Sequence, residues 1–519
     1  MFEIYTLMLI SIFRSFLCVC LLLRCCVFAQ GQNLQSSGKE FWFGYMQSLS
    51  QGINGTPEYA IQLFAIAGAT DVTLEVPGRN YSFTFSLKAN EIKKLTLPSF
   101  NFEPSGSGVI SDLAIHIQTT LPIEVVAIHN RIFFSATTRL FPYKSLGLNH
   151  VIIAAEDAMD ASPSALLVVA TADNTEVNVC QSPCGTKGEF SFILNRGQTY
   201  QFQSIDDLTG TIVNGDKPIA VFSGARQAAL RDGDDSHIYM AMPPTTFADT
   251  LYAIVPDLGV ASRTYIILLA SEDGTQIDVG ANAVKLNQNE SIEVAVSTPL
   301  MVRSNKPIFS AQYHVGSGIR GKDGPAMIIN QPVSSMVNKS GFRTKKDVAF
   351  TILTHAITFI TKEPSSVIMN SVVVDGFKPI PDSDLFYLST SLQGGSYLLS
   401  STSGVLGQVY GSTAAEYYSF SLGYNDTAKV FPPFYTYSES CNSWAIAPSV
   451  NNGNFGLVNT STAFVGTKVD VISSDGRLVY RDLNIEELNT QFTLKLAAGL
   501  YYLRLNACGS IRKFIVVNQ

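Results

Sequence analysis

Asp216-Lys217-Pro218-Ile219-Ala220-Val221-Phe222-Ser223-Gly224 reads as a β-strand. Proline stands at its start, where no ladder donor is required, and a β-branched and aromatic run follows. The stretch returns downstream as Asn305-Lys306-Pro307-Ile308-Phe309-Ser310-Ala311, and more loosely upstream as Leu121-Pro122-Ile123-Glu124-Val125-Val126-Ala127. A spacing of roughly 90 to 100 residues is longer than most solenoid repeats and suits one small β domain per copy. The chain therefore reads as tandem β modules.

A second landmark keeps the same register. Leu87-Lys88-Ala89-Asn90-Glu91, Leu194-Asn195-Arg196-Gly197-Gln198 and Leu286-Asn287-Gln288-Asn289-Glu290 each lead into a strand at the matching place. The first module starts at Gly38-Lys39-Glu40-Phe41. Alternating runs follow at 59–64, 71–76, 81–85, 92–97, 113–117 and 123–128, with turn residues between them. The second module sets Ala165 to Ala170 against Glu176 to Val179, and the third sets Thr264 to Leu269 against Gln276 to Val279. The Asp273-Gly274 pair predicts a hairpin between the latter two. The fourth has Ile357 to Ile360, and the reading puts Glu416 to Ser421 in the place of the Lys-Pro-Ile strand. Helical periodicity is nearly absent. The fold class expected is all-β: four β-sandwich-like modules of about 95 residues over residues 30–430, then a small C-terminal β-sandwich over 438–519. A β-propeller is the alternative, because each repeat is long enough for two blades.

Composition narrows the class. The chain has 519 residues, 46% hydrophobic and 15% charged, with net charge −7. That excludes a disordered chain and gives no basic footprint for nucleic acid. Arg14 precedes the apolar run Ser15 to Leu23, and Val27-Phe28-Ala29 offers a small-residue cleavage site. Residues 1–29 are expected to be a secretory signal peptide, and no later segment is long enough to span a membrane as a helix. Four of the eight cysteines lie in that signal, leaving Cys180, Cys184, Cys441 and Cys508. An even number in an oxidising compartment suggests disulfides, Cys180 with Cys184 at a hairpin tip and Cys441 with Cys508 in the tail. Asn80, Asn289, Asn338, Asn425 and Asn459 head Asn-x-Ser/Thr acceptors, and Asn54 is disfavoured by the proline after its sequon. The localisation expected is secreted and extracellular.

Gly38-Lys39-Glu40-Phe41, the Lys-Pro-Ile strand with Phe222-Ser223-Gly224, and Ser236-His237-Ile238-Tyr239-Met240-Ala241-Met242-Pro243-Pro244 resemble the N-terminal domain of IgGFc-binding protein. The similarity spans about residues 38–425. It implies a secreted, mucus-associated or adhesive protein that recognises other extracellular molecules. Met240-Ala241 stand where the family commonly has Glu-Gln, and the cysteine-rich von Willebrand D-type modules of the large mucus proteins are absent. What the resemblance carries over is extracellular recognition.

Catalytic motifs are lacking: no Gly-x-Ser-x-Gly, no His-Glu-x-x-His and no phosphate loop occurs. No cofactor and no metal is expected. Arg231-Asp232-Gly233-Asp234-Asp235 departs from a calcium-binding EF loop, with Asp235 where that loop has an intervening residue and Pro243 where its glutamate belongs, and Glu156, Asp157 and Asp160 are acidic loop residues at a commonplace spacing. His129 and His314 share one offset from Pro-Ile, which points to a repeated structural position. The better candidates are the loops that follow each Pro-Ile strand, because loops on a rigid sandwich carry most binding groups. Arg226, Arg231, Asp234, His237, Arg320 and Lys322 form the predicted mixed-charge rim. Its expected partners are extracellular glycoproteins or glycans, with self-association as an alternative. The function expected is adhesion or scaffolding, ahead of a lectin-like module and of a secreted hydrolase.

Overall fold

The fold was examined in a computed structural model. It describes residues 34–48, 56–131, 134–155, 162–184, 187–230, 235–258, 264–314, 324–345, 354–412 and 417–426. In the C-terminal region it describes 444–447, 450–451, 453–459, 468–473, 478–486, 490–505 and 511–517. The expected signal peptide, Cys441 and Cys508 lie outside these. Two compact units are present, one of residues 1–178 with 191–432 and one of 179–190 with 433–519. Among the described residues no α-helix occurs, and none is long and apolar enough to cross a membrane. The helical pieces are three-residue 3-10 turns such as Tyr143–Ser145.

Each repeat of the larger unit is built on one long strand: Ile115–Arg131, Ile212–Ala229, Leu300–His314 and Ser396–Ser412. Its first half belongs to one sheet and its second half to another. In the first module, residues 115–123 pair with Gly38–Phe43 and residues 116–119 with Thr70–Val76, whereas residues 124–131 pair with Glu58–Phe64 and Phe134–Arg139. The two sheets fold face to face about this strand. In the third module Ile266, Leu268, Ile277, Val279, Val302 and Ile308 meet between them, all buried. Each such side chain contributes roughly 1.5–3 kcal/mol when withdrawn from water. The modules are curled sandwiches.

This corrects three details of the strand reading. Pro122, Pro218 and Pro307 do not start a strand; they sit inside the long one, where the register slips between its two halves. At this slip the chain changes sheets, so proline's missing N–H breaks no ladder. In the fourth module Gly404 takes this position with φ +84°, and Val405 takes the isoleucine place. Tyr417–Ser421 is therefore the strand after the long one, not its equivalent. The turn at Asp273-Gly274 joins no hairpin either. Thr264–Ala270 and Thr275–Val279 pair with opposite halves of the long strand, so the turn arches from sheet to sheet.

The four modules form a ring. Phe134–Arg139 lies beside Asp235–Met242 and Tyr417–Ser421, and Ala326–Ile329 lies beside the same two strands. Thr138 Oγ1 accepts a hydrogen bond from the Ala241 N–H at 2.9 Å, and Thr137 Oγ1 donates to the Ser419 carbonyl at 2.8 Å. Side chains fill the axis: Thr138, Met240, Ile329 and Phe420 leave a cavity of only about 20 Å³. The circular arrangement is what remains of the propeller alternative, with sandwiches in place of blades.

A repeated 3-10 turn joins one module to the next. The N–H groups of Ser145, Phe247 and Ser335 donate to the carbonyls of Pro142, Pro244 and Pro332 at 2.8, 2.9 and 2.9 Å. Gly38 and Gly147 let these prolines approach: a Cβ on either would lie 2.2 or 2.4 Å from Pro142 or Pro244 Cβ. Closure uses both ends of the unit. Leu34–Gln35 pairs antiparallel with Asn425–Asp426, and the Ser36 N–H donates to the Tyr424 carbonyl at 2.9 Å.

The C-terminal region has a three-stranded and a five-stranded sheet around Phe455, Leu457, Val469, Val471 and Leu503. Lys468–Ser473 pairs antiparallel with Leu478–Asn484, and Gly499–Leu505 with Ile511–Val516.

Candidate functional site

Each of the four long strands pairs antiparallel with the strand that follows it. Neighbouring pairs touch near their ends. The rings of His129 and His237 meet edge to face with centroids 4.8 Å apart, and those of His314 and Tyr417 stack at 3.9 Å. Arg231, Asp234, Arg320 and Lys322 lie outside the described residues.

The predicted rim is corrected at His237. Its ring is buried, 2% exposed, because Asp235–Met242 is a central strand that turns this residue toward the first module. Its Nδ1 lies 2.9 Å from the Ala225 carbonyl oxygen. Burial, then the neighbouring His129 ring, push its imidazole down to about 3. Arg226 is half-buried, with its carbonyl 3.3 Å from the same nitrogen. The two histidines at the shared offset, His129 and His314, are both buried in the long strands, as a repeated structural position requires.

What the hairpin end does carry is a cleft of about 690 Å³ in the first module, floored by Glu103 and Arg131 and walled by Tyr59, Phe100 and Asn101. Its floor is a saturated network. Glu103 Oε1 lies 2.9 Å from His129 Nε2 and accepts from Arg131 Nη2 at 2.9 Å and Ser48 Oγ at 2.8 Å. Glu103 Oε2 accepts from the Ser48 N–H at 3.0 Å, and Arg131 Nε donates to Ser48 Oγ at 2.8 Å. Burial by itself raises the Glu103 carboxyl, but His129 and Arg131 outweigh it and hold it well below the usual carboxylate range. The Tyr59 phenol is pushed up, first by burial and then by the charge of Glu103. A carboxylate so fully engaged is a poor proton acceptor. It fixes residues 97–105 and the Ser48 segment as rigid walls.

A related cluster lies where the third and fourth modules meet. Buried Asp257 accepts from the Tyr417 hydroxyl and from Gln312 Nε2 at 3.0 Å, and burial raises its carboxyl although nearby His314 opposes this. A smaller cleft of about 310 Å³ adjoins it. The sequence reading named neither Glu103 nor Asp257. The one available signal was Phe100-Asn101-Phe102-Glu103-Pro104, an aromatic and polar alternation outside any strand.

Cys180 and Cys184 form a disulfide at the tip of the hairpin from Thr175–Cys180 to Glu189–Leu194. Among the described residues Cys180, Cys184 and Glu189 are close enough to share an ion, but the two sulfurs are bonded to each other and offer no thiolate. Of the acceptor asparagines, Asn80, Asn338 and Asn425 are exposed and Asn289 is half-buried; the side chain of Asn459 lies outside the described residues. Glu156, Asp157, Asp160 and Asp232 lie outside as well.

The profile of one protein family, described as IgGFc binding protein, matches residues 136–411, more than half of the chain. The chain belongs to the IgGFc-binding protein family. The match runs from the last strand of the first module into the long strand of the fourth, so three of the four long strands of this IgGFc-binding family member fall within it. No curated protein matches the chain. Among solved structures, the native α-2-macroglobulin of E. coli is 9% identical, covered over 92% of this chain and 40% of that one, with a TM-score of 0.13. The α-L-rhamnosidase of Streptomyces avermitilis in complex with L-rhamnose is 10% identical over 71% and 57%, also at 0.13. The chain thus spans less than two thirds of either, and likenesses this slight carry no argument.

Proposed function

We propose that this chain is a secreted, non-catalytic adhesion or scaffold protein that binds extracellular glycoproteins or other matrix or mucus components. Recognition takes place at the hairpin end of the module ring. One observation carries the reading: in a closed, side-chain-filled ring each long strand pairs antiparallel with the strand that follows it, and Arg131, at the end of the first long strand, lines a cleft. Loops held by a rigid scaffold are where binding groups collect. Family membership supports an extracellular partner. The ion pairs that hold the Glu103 carboxyl well below the usual range favour binding over proton transfer, because a general base works best near its operating pH.

The test uses the full secreted chain as bait in native extracellular fluid, with captured proteins identified by mass spectrometry. Two variants accompany it, Arg231→Ala with Asp234→Ala, and Arg320→Ala with Lys322→Ala. Loss of a partner from either variant supports recognition at the hairpin tips. A partner retained by both moves the site away from this rim.

A further inference from the structure

We propose that the first-module cleft is a subsite for an uncharged oligosaccharide segment; this rests on the recognition reading above and names its chemistry. Three features of the cleft converge on that ligand.

The first is an aromatic path into it. Tyr81, Phe83 and Phe85 alternate along the edge strand Tyr81–Leu87, so all three share one face. Phe83 and Phe85 stack with centroids 5.5 Å apart, and Phe83 is 43% exposed. Tyr81 meets Phe100 edge to face at 5.7 Å, and Phe100, half-buried, lines the cleft. Behind it, buried Phe102 packs on both Phe100 and Tyr59 and holds the Phe100 ring in place. Half-exposed aromatic faces are the complement of the C–H-rich faces of a pyranose, which are its apolar surface.

The second is the polar lining. Asn101, Ser99 and Thr56 place amide and hydroxyl groups around the opening. Such groups both donate and accept, as the hydroxyls of a sugar require. The third is the charge balance. Glu103 is matched by Arg131 and His129, and Glu58 by Lys94 at 2.9 Å and by the Asn130 amide at 3.1 Å. The carboxylates of the cleft are thus answered from within, leaving no cationic excess to select a sialylated or sulfated glycan.

Saturation-transfer NMR and calorimetry on the full secreted chain test this. The probes are neutral hexose and N-acetylhexosamine oligosaccharides, the same oligosaccharides sialylated or sulfated, and a proline-rich peptide. The expected result is binding of a neutral oligosaccharide that added acidic groups do not strengthen. Phe100→Ala should weaken it about tenfold, the order expected for one lost aromatic face. Because Phe100 also packs on Phe102, exposed Ser99→Arg serves as a second variant, which obstructs the opening without touching the core. Three results overturn the proposal: no neutral oligosaccharide binding, binding untouched by both variants, or preference for the peptide. Glycoprotein capture separates this from the broader reading. If partners are still captured after their glycans are enzymatically removed, the tips recognise protein and only the cleft proposal falls.

Discussion

Glu103 and Glu124 are two buried carboxylates of one module, each ion-paired with an arginine, yet they serve different ends of the ring. Glu103 takes its partners from its own module and stands at the floor of an open cleft. Glu124 is sealed inside the closing seam. Its oxygens accept from Ser36 and Ser340 Oγ, both at 2.8 Å, and lie 3.1 Å from Arg139 Nη1. Those partners come from the first strand of the unit, the fourth module and the first module. A Cβ on Gly423 would lie 2.2 Å from Glu124 Oε1, so even the backbone is fitted to this carboxylate. The origin of a carboxylate's partners, local or distant in sequence, separates a group that shapes a surface from one that holds the architecture shut.

Removing each arginine should break the symmetry between the pairs. Arg139→Met leaves Glu124 charged and dry, which costs roughly 3–5 kcal/mol, as for other buried pairs broken on one side. Urea unfolding of the larger unit reads this directly, and a loss below that of Arg131→Met would refute the distinction. Acid should act next. Burial holds His237 down to about 3 and His150 down to about 4, against an ordinary 6.5. Their contribution is complete above pH 6.5 and is lost as pH falls toward those values, at about 1.4 kcal/mol per pH unit for each ring at most. Glu103, held low, adds its own loss only as pH falls below its ordinary 4.5. Urea midpoints at pH 7, 5.5 and 4.5 should therefore descend, and His237→Gln should flatten the descent. An unchanged slope in that variant would sink the assignment.

Arg131→Met is expected to cost about 1–3 kcal/mol, because Glu103 keeps His129 and Ser48 and can admit water from the cleft. Smallest is Ser36→Ala, about 1 kcal/mol for one hydrogen bond to Glu124. Native-state hydrogen exchange should show it as faster exchange of Ser36 and Leu34–Gln35 amides, with the hairpin end unmoved.

The modules were legible because their landmarks are local: Pro-Ile and the turn before the next strand return in three copies, and strand alternation in all four. The ring was not, since its seams depend on single residues without a pattern. Gln62 is an example: its side chain joins the Arg343 backbone of the fourth module through bonds of 2.9 and 3.2 Å. Trp42 is another, packed between His116 of its own module and Arg196 of the next. The Val109–Ser111 strand carries no alternation that marks it, and it adds an edge to the second module's sheet rather than to its own. His237 looked exposed because it follows a polar loop; only the ring turns it inward. Glu103 lies in a proline-bounded loop, where no periodicity marks a buried acid.

The pairing of Gln35 with Asn425 spans 390 residues of chain. During synthesis the N-terminal end of this seam emerges well before its partner. Until then the first module has one flank without its neighbour, and Glu124 lacks the seal that the fourth module's Ser340 completes. A ribosome-bound chain halted before residue 423 would therefore hold folded modules without a ring. Completion is a single late event rather than the last of four equal steps, and proteolytic resistance of the first module should rise abruptly once residues 424–426 have left the ribosome.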